Sequence, residues 1–380
     1  MGKSALIKRM AAQDIAAGEG VAVLDPHGDL VEELLEHIPP SRRDDVVYFN
    51  AADLEYPVGL NILRAPGDAH LIVSAIVSAF KHIWGDSWGP RMEYIFAMAL
   101  SAIVGREDAS LLGVYRMLSD SRYRDRMTAG VADPVVRKFW LEEFEEYNDR
   151  FRSEAIAPIL NKLGRVLMTA PLRNILGQIS PKLDVDFYVN NRRIFLANLS
   201  RGELGEDKSS LLGSLLISQF QLAAMRRAAM PEHERRTFFL HVDEFPTFAS
   251  DAFAEILSEL RKYKLSLTIA AQYLDAIRPS VRSAILGNAG TMISFAVGPT
   301  DAEILESYFD SGPARELVEL DPYEILVSSS SGGARAAWSG RTLPPADAIY
   351  GGREKLVKLS RDKYSQPRDV LEQKIESWLG

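Results

Sequence analysis

Cysteine is absent from the 380-residue chain, which excludes disulfides and thiolate metal centres. The six histidines, His27, His37, His70, His82, His233 and His241, are scattered without metal-ligand spacing, so no metal cluster is expected. No run of 18 apolar residues occurs. The nearest candidate, Leu211 to Met225, is interrupted by Ser214, Ser218, Gln219 and Gln221 and reads as a buried helix. No signal-peptide pattern opens the chain. This piece is therefore expected to be soluble, with any membrane anchor lying upstream. Positive charge is not in excess either. The 44 basic and 52 acidic residues give a formal charge of −8, which argues against a protein that coats itself in nucleic acid. A few basic loops inside a pore remain compatible with that balance. Internal repeats and low-complexity tracts are also missing.

What is present is a hydrophobic content of 47%, enough for a substantial core and suggestive of two domains. Strand-like runs occur at Val21–Asp25, Val46–Asn50, Ile194–Asn198, Phe238–Asp243, Ser266–Ala271, Thr291–Ala296 and Ile325–Ser328. Several are apolar throughout, as expected of parallel strands covered on both faces. Helical patterns lie between most of them, which predicts an α/β sheet clothed by helices. The alternation breaks from about 67 to 180, where the pattern is nearly all helical: Ala69–Ile83, Arg91–Val104, Leu111–Leu118, Val135–Tyr147 and Ser153–Met168. An inserted all-α domain at 67–180 follows, with Trp84, Trp88, Tyr94, Phe96, Phe139 and Trp140 read as core rather than as a ligand cage. The α/β domain is then discontinuous, 1–66 and 181–350. Ser328–Gly333 reads as a turn before a hairpin around Ala336–Thr342. The tail is 351–380, and its last stretch, Tyr364 to Gly380, reads as a linker and a peripheral helix.

Five groups of residues carry chemistry. Met1-Gly2-Lys3-Ser4 supplies the last three positions of the phosphate-binding loop G-x-x-x-x-G-K-[ST]. The opening glycine and its strand would lie upstream of Met1. A helix must follow directly, because its N-terminal N–H groups and dipole face the phosphates. Leu6, Ile7, Met10, Ala11 and Ile15 mark one apolar helix face over 5–17, and Gly18 is a plausible stop. The second group is Thr237 to Glu244, an apolar strand ending in two carboxylates. Asp243 is placed to hold Mg²⁺ together with Ser4, and Glu244 to orient or deprotonate the attacking water. Acids are also common where a strand end meets a helix cap. The third is Gln272, after the next apolar run, where it could bond a γ-phosphate or simply face solvent. The fourth is Arg261, beside Lys262, on the helix expected from the run Phe253, Ile256, Leu257 and Leu260. It suits either a cation near a helix C-terminus or a finger reaching a neighbour's phosphate. Asp25-Pro26-His27-Gly28-Asp29 forms a tight turn that puts Asp25 at a strand tip facing the nucleotide.

Several segments resemble the TraG/TraD-type coupling proteins of conjugative type IV secretion, in the HerA/FtsK branch of RecA-like motors. They are Asp25-Pro26-His27-Gly28-Asp29-Leu30, Val242-Asp243-Glu244-Phe245-Pro246-Thr247-Phe248-Ala249, Leu260-Arg261-Lys262-Tyr263, Ala271-Gln272-Tyr273-Leu274 and Gly287-Asn288-Ala289-Gly290-Thr291. In the helical segment, Ser87-Trp88-Gly89-Pro90-Arg91-Met92-Glu93 and Phe151-Arg152-Ser153-Glu154-Ala155-Ile156 resemble the family's all-α domain. The resemblance implies a P-loop NTPase fold and a hexameric ring that uses ATP and Mg²⁺ to pump DNA toward a secretion channel. Relaxase, relaxosome and channel components would be its partners, at the cytoplasmic face of the inner membrane in the full-length protein. It implies nucleotide contacts for Gly2, Lys3, Ser4 and Asp25, and a metal shell of Ser4 and Asp243. Glu244 and Gln272 match the catalytic acid and post-hydrolysis sensor, and Arg261 the trans-acting arginine. The front half of the loop and the family's transmembrane segments are the two departures. A HerA-like DNA-processing ATPase, or a truncated motor serving as a cargo adaptor, are the competing readings. For DNA, Arg201 and Lys208 are candidate contacts on a Gly-punctuated loop that also suits a solvated connection. Arg226, Arg227, Arg235 and Arg236 read as an exposed helix end.

Overall fold

The computed structural model describes residues 2–250, 253, 257, 259–309, 314–331, 334–344 and 348–379. Five strands, β1 (Gly20–Asp25), β2 (Val46–Asn50), β3 (Ile194–Asn198), β4 (Phe238–Val242) and β5 (Leu265–Ile269), form one parallel sheet in the order β2-β3-β1-β4-β5. Alternation along each strand sorts side chains onto two faces. Val21, Val23, Val46, Tyr48, Ile194 and Leu196 pack with α1 (Lys3–Ala16) and α2 (Asp29–Leu35). Ala22, Leu24, Val47, Phe49, Phe195, Phe238 and Leu240 face the other way, into the main core. Near-continuous apolar strands follow from having both faces covered.

The segment between β2 and β3 is helical, as its periodicity predicts. It contains α3 (Ala69–Trp84), α4 (Pro90–Ile103), α5 (Leu111–Ser119), α6 (Ser121–Thr128), α7 (Pro134–Lys138), α8 (Asp149–Leu167), α9 (Ala170–Leu176) and α10 (Val185–Asn190). Trp88, Phe96, Phe139 and Trp140 are buried there, whereas Tyr94 is exposed and its hydroxyl donates to Glu143. After β3 come α11 (Arg201–Leu204) and α12 (Glu206–Arg226). The helix α12 is buried along most of its length, and Phe220 meets Phe195 edge-on and stacks on Phe238 at centroid distances of 5.3 and 5.7 Å.

Three sequence expectations are corrected. The runs at 291–296 and 325–328 do not join the parallel sheet. They become β6 (Thr291–Ser294) and β7 (Glu324–Ser331), which form a separate antiparallel sheet with β8 (Ala334–Arg341). One face of that sheet, with Met292 and Leu326, packs on helices 279–288 and 299–306, so a half-buried pattern passed for a buried one. In the basic cluster Arg236 is exposed, but Arg227 is not. Arg227 is 1% exposed and donates to the carbonyls of Val189, Arg236 and Tyr263, while Arg226 pairs with Asp186. In the tail, 365–367 links helices Arg353–Tyr364 and Arg368–Leu379 as expected, but the second helix is not peripheral, since its Leu371 and Ile375 enter the main core. Ile256 and Gly333, parts of the expected helix and turn, lie outside the described residues.

The two edges of the parallel sheet differ. At β2 the edge is sealed by the helix 353–364, whose Ser360 hydroxyl accepts the Tyr48 N–H at 2.8 Å. At β5, Lys264 and Ala270 direct their backbone groups to β4 and its continuation. Alternation then turns the backbone groups of Leu265, Leu267 and Ile269 outward. They face a cleft of about 630 Å³ whose other walls are α1 and the segment 288–295.

Candidate nucleotide site

Parallel strands bring their carboxyl ends to one rim, and the predicted residues meet there. Val242 and Leu24 are register partners, so Asp243 and Asp25 leave the sheet side by side. Asp243 is buried. Its Oδ2 accepts the Ser4 hydroxyl at 2.6 Å, and its Oδ1 accepts the Glu244 N–H at 3.0 Å. Ser4 and Asp243, expected to share a metal shell, are thus brought into hydrogen-bond contact across most of the chain. Glu244 is held at φ 46°, ψ 48°, the left-handed region that costs a non-glycine residue about 1 kcal/mol or more. Its Oε1 accepts the Gln272 side-chain N–H at 2.7 Å. Gln272 is thus tied to the carboxylate that would act on water.

Gly2 begins α1 at φ 130°, a conformation open to glycine, and a Cβ there would stand 2.7 Å from the Phe295 ring. No side chain caps α1, so its first N–H groups and dipole face the rim beside Ser4. Lys3 lines the cleft along β5. Arg261 lines the same cleft but precedes β5, whereas Gln272 follows it. A five-residue strand separates them by roughly 16 Å, so Arg261 is not part of this chain's own carboxylate cluster.

Asp25 is arranged differently from expectation. Its carboxylate turns into its own loop and accepts the N–H groups of His27 (2.8 Å) and Val31 (3.3 Å). Burial raises its pKa above 3.8 despite those bonds, and the nearby Asp243 charge adds to the rise. Asp25 thus shapes the turn. Gly28 completes that turn at φ 96°, where a Cβ would meet the Asn198 amide at 2.4 Å. Asn198 in turn donates to Glu32 and accepts from Ser200. Sequence reasoning passed over Asn198 as a strand end. The signal was an amide closing β3 beside a Gly-containing turn. Of the candidate DNA contacts, Arg201 pairs with Glu206 at 2.7 Å.

Ser4 and Asp243 offer hard oxygen donors, which suits Mg²⁺, an ion that keeps waters and takes few protein ligands. Among the described residues no group of three His, Cys, Asp or Glu side chains could hold a metal without further donors.

No family model matches the chain, and no curated protein matches it by sequence. Solved structures do. TrwBdeltaN70, a bacterial conjugative coupling protein in its unbound form, superimposes with a TM-score of 0.64 at 14% identity over 93% of this chain and 85% of that one. The fold is that of TrwB. The TrwB complex with ADP and Mg²⁺ gives 0.63 at 14% identity, over 93% and 84%. VirB4 of Thermoanaerobacter pseudethanolicus gives 0.61 at 15% identity, over 92% and 87%. TrwB and this chain therefore share a RecA-like α/β architecture. Among the described residues no helix is long and apolar enough to cross a membrane.

Proposed function

We propose that this chain is the motor of an ATP-driven DNA translocase of the coupling-protein type, working with Mg²⁺ in a hexameric ring that feeds DNA and its relaxase partners to a type IV secretion channel. The observation that carries this reading is the pair of contacts at the strand rim, Ser4 to Asp243 and Gln272 to Glu244. They bring together two oxygens suited to a metal ion and one carboxylate suited to orienting water, beside an uncapped helix N-terminus. The likeness to TrwB, solved with ADP and Mg²⁺ and with ATP and GTP analogues, supports the choice of cofactors.

Each residue then has a task. Lys3 and the first N–H groups of α1 bind and orient the phosphates. Ser4 and Asp243 hold Mg²⁺, which when bound offsets phosphate charge. Glu244 positions the attacking water and takes its proton, and Gln272 fixes the Glu244 carboxylate. Arg261 acts on a neighbouring subunit, consistent with its distance from its own carboxylates. An extended segment entering Gly2 would pair with the outward backbone groups of Leu265, Leu267 and Ile269 and anchor the phosphate loop.

The test compares nucleotide binding and ATP hydrolysis, with and without DNA, for this chain and for the chain extended before Gly2 by its natural codons. DNA-stimulated hydrolysis by the extended form, lost in Glu244→Gln, is expected. Failure of the extended form to hydrolyse ATP with DNA present sinks the motor reading.

A further inference from the structure

The loop that follows Glu244 is held by more than its own strand. Phe245 donates its N–H to the Ala270 carbonyl at 2.8 Å, and Thr247 and Phe248 close a tight turn back on Glu244 and Phe245. Two hydroxyls of α12, one turn apart, reach the loop's carbonyls. Ser210 donates to Thr247 at 2.6 Å and Ser214 to Phe248 at 3.0 Å. Both serines are buried. The Thr247 carbonyl also accepts a second bond, from Nε2 of His82 at 3.1 Å. A carbonyl can only accept, so Nε2 carries the proton.

His82 lies in the last turn of α3, in the helical domain. Its own backbone carbonyl accepts the Arg278 guanidinium at 3.1 Å. Thr247 follows Glu244 by three residues, and Arg278 follows Gln272 by six. The end of α3 is therefore clasped by the two segments that leave Glu244 and Gln272, and those two side chains are themselves bonded at 2.7 Å. Any separation of Glu244 from Gln272 displaces one or both grips on His82.

We propose that His82 is a positioning residue through which the helical domain sets, and is set by, the Glu244–Gln272 pair. Nothing in the parallel sheet requires the helical domain to touch the segments after β4 and β5, yet one histidine touches both. The inference rests on the reading of Glu244 and Gln272 as the hydrolytic pair. Its physical content is an exchange of strain: Glu244 sits in a left-handed conformation, and the Thr247 carbonyl two bonds deep in donors keeps it there.

The test is hydrogen–deuterium exchange in the whole chain without nucleotide, for His82→Ala, His82→Gln and wild type, alongside ATP hydrolysis by the extended form. His82→Ala removes the bond to Thr247 and keeps the backbone carbonyl that Arg278 grips, so it is expected to speed exchange across 244–250 by about ten-fold, the scale set by one lost hydrogen bond, and across 272–278 by a smaller factor passed on through the Glu244–Gln272 contact. His82→Gln keeps an N–H donor and is expected to restore most of the protection. In hydrolysis, His82→Ala should lower kcat by a similar factor and leave KM for ATP unchanged, because no phosphate contact is removed. The proposal is overturned if His82→Ala leaves 272–278 unaffected, or if His82→Gln exchanges as fast as His82→Ala. If wild type fails to hydrolyse ATP, the motor reading falls on that result alone, while the exchange data still decide whether the two segments are linked through His82.

Discussion

Replacing Gly213 by alanine sets two effects of opposite sign against each other. Gly213 lies inside α12, where alanine is favoured over glycine by about 1 kcal/mol through lower backbone entropy loss. Its Cβ, however, would stand 2.2 Å from Cδ1 and 2.3 Å from Cε1 of Phe248, against the 3.4 Å at which ordinary contact begins. Phe248 has little room to yield. It is buried, its N–H is bonded to Phe245 and its carbonyl to Ser214. Forcing an extra carbon into such packing costs about 1–3 kcal/mol. The net expectation is a loss of about 1 kcal/mol, read by urea denaturation followed by circular dichroism. Adding Phe248→Leu, which removes the ring edge, should make the double variant less destabilised than the sum of the singles by about 1 kcal/mol. A Gly213→Ala protein about 1 kcal/mol more stable than wild type would refute the reasoning, because helix propensity would then act alone and the loop after Glu244 would not be packed tightly on α12.

Three further outcomes are expected. Glu244→Gln keeps an oxygen for Gln272 and should retain nucleotide binding by the extended form while lowering kcat by about 10²–10⁴-fold, the range for loss of a general base; equal loss of binding would assign Glu244 to the phosphate site instead. Asp25 has a raised pKa, so its burial favours the protonated form, and the stability it contributes is present below pH 3.8 and lost as pH rises through its folded value. The melting temperature of Asp25→Asn relative to wild type should therefore climb as pH rises from 3.8 to the folded value and level off above it, and a falling difference would show that the loop N–H bonds outweigh desolvation. Arg227→Ala strands the buried Val189 carbonyl and removes a donor from the part-buried carbonyls of Arg236 and Tyr263, and should cost on the order of 3 kcal/mol in urea denaturation, with a cost under 1 kcal/mol counting against the burial account.

The strands and most helices of the α/β domain were legible because each has a plain period and a polar terminus. Val46–Asn50 and Ile194–Asn198 match the observed β2 and β3, and 5–17 matches α1 to within two residues at its start. The rim residues were legible as well, since an apolar run ending in Asp243-Glu244 and one ending near Gln272 must place those groups at carboxyl ends. What stayed hidden depends on distance in sequence. Ser210 and Ser214 look like ordinary breaks in an apolar helix, and their meaning comes from two carbonyls in another segment. His82 reads only as one of six scattered histidines without metal-ligand spacing. Arg227 looked exposed because a guanidinium usually is, and only the converging carbonyls explain its burial. Burial holds its pKa down to about 10.

The open edge of β5 bears on any measurement of assembly. Its outward backbone groups belong to Leu265, Leu267 and Ile269, with no proline or charge within the strand to discourage pairing. A strand from another molecule could satisfy those groups as readily as a neighbouring segment of the same chain. Dimers formed this way would be linear and edge-to-edge, unlike the rotationally closed contacts of a ring. Sizing data on this polypeptide therefore need a control in which Leu267 is replaced by lysine, which should dissolve edge pairing and leave a ring interface elsewhere intact.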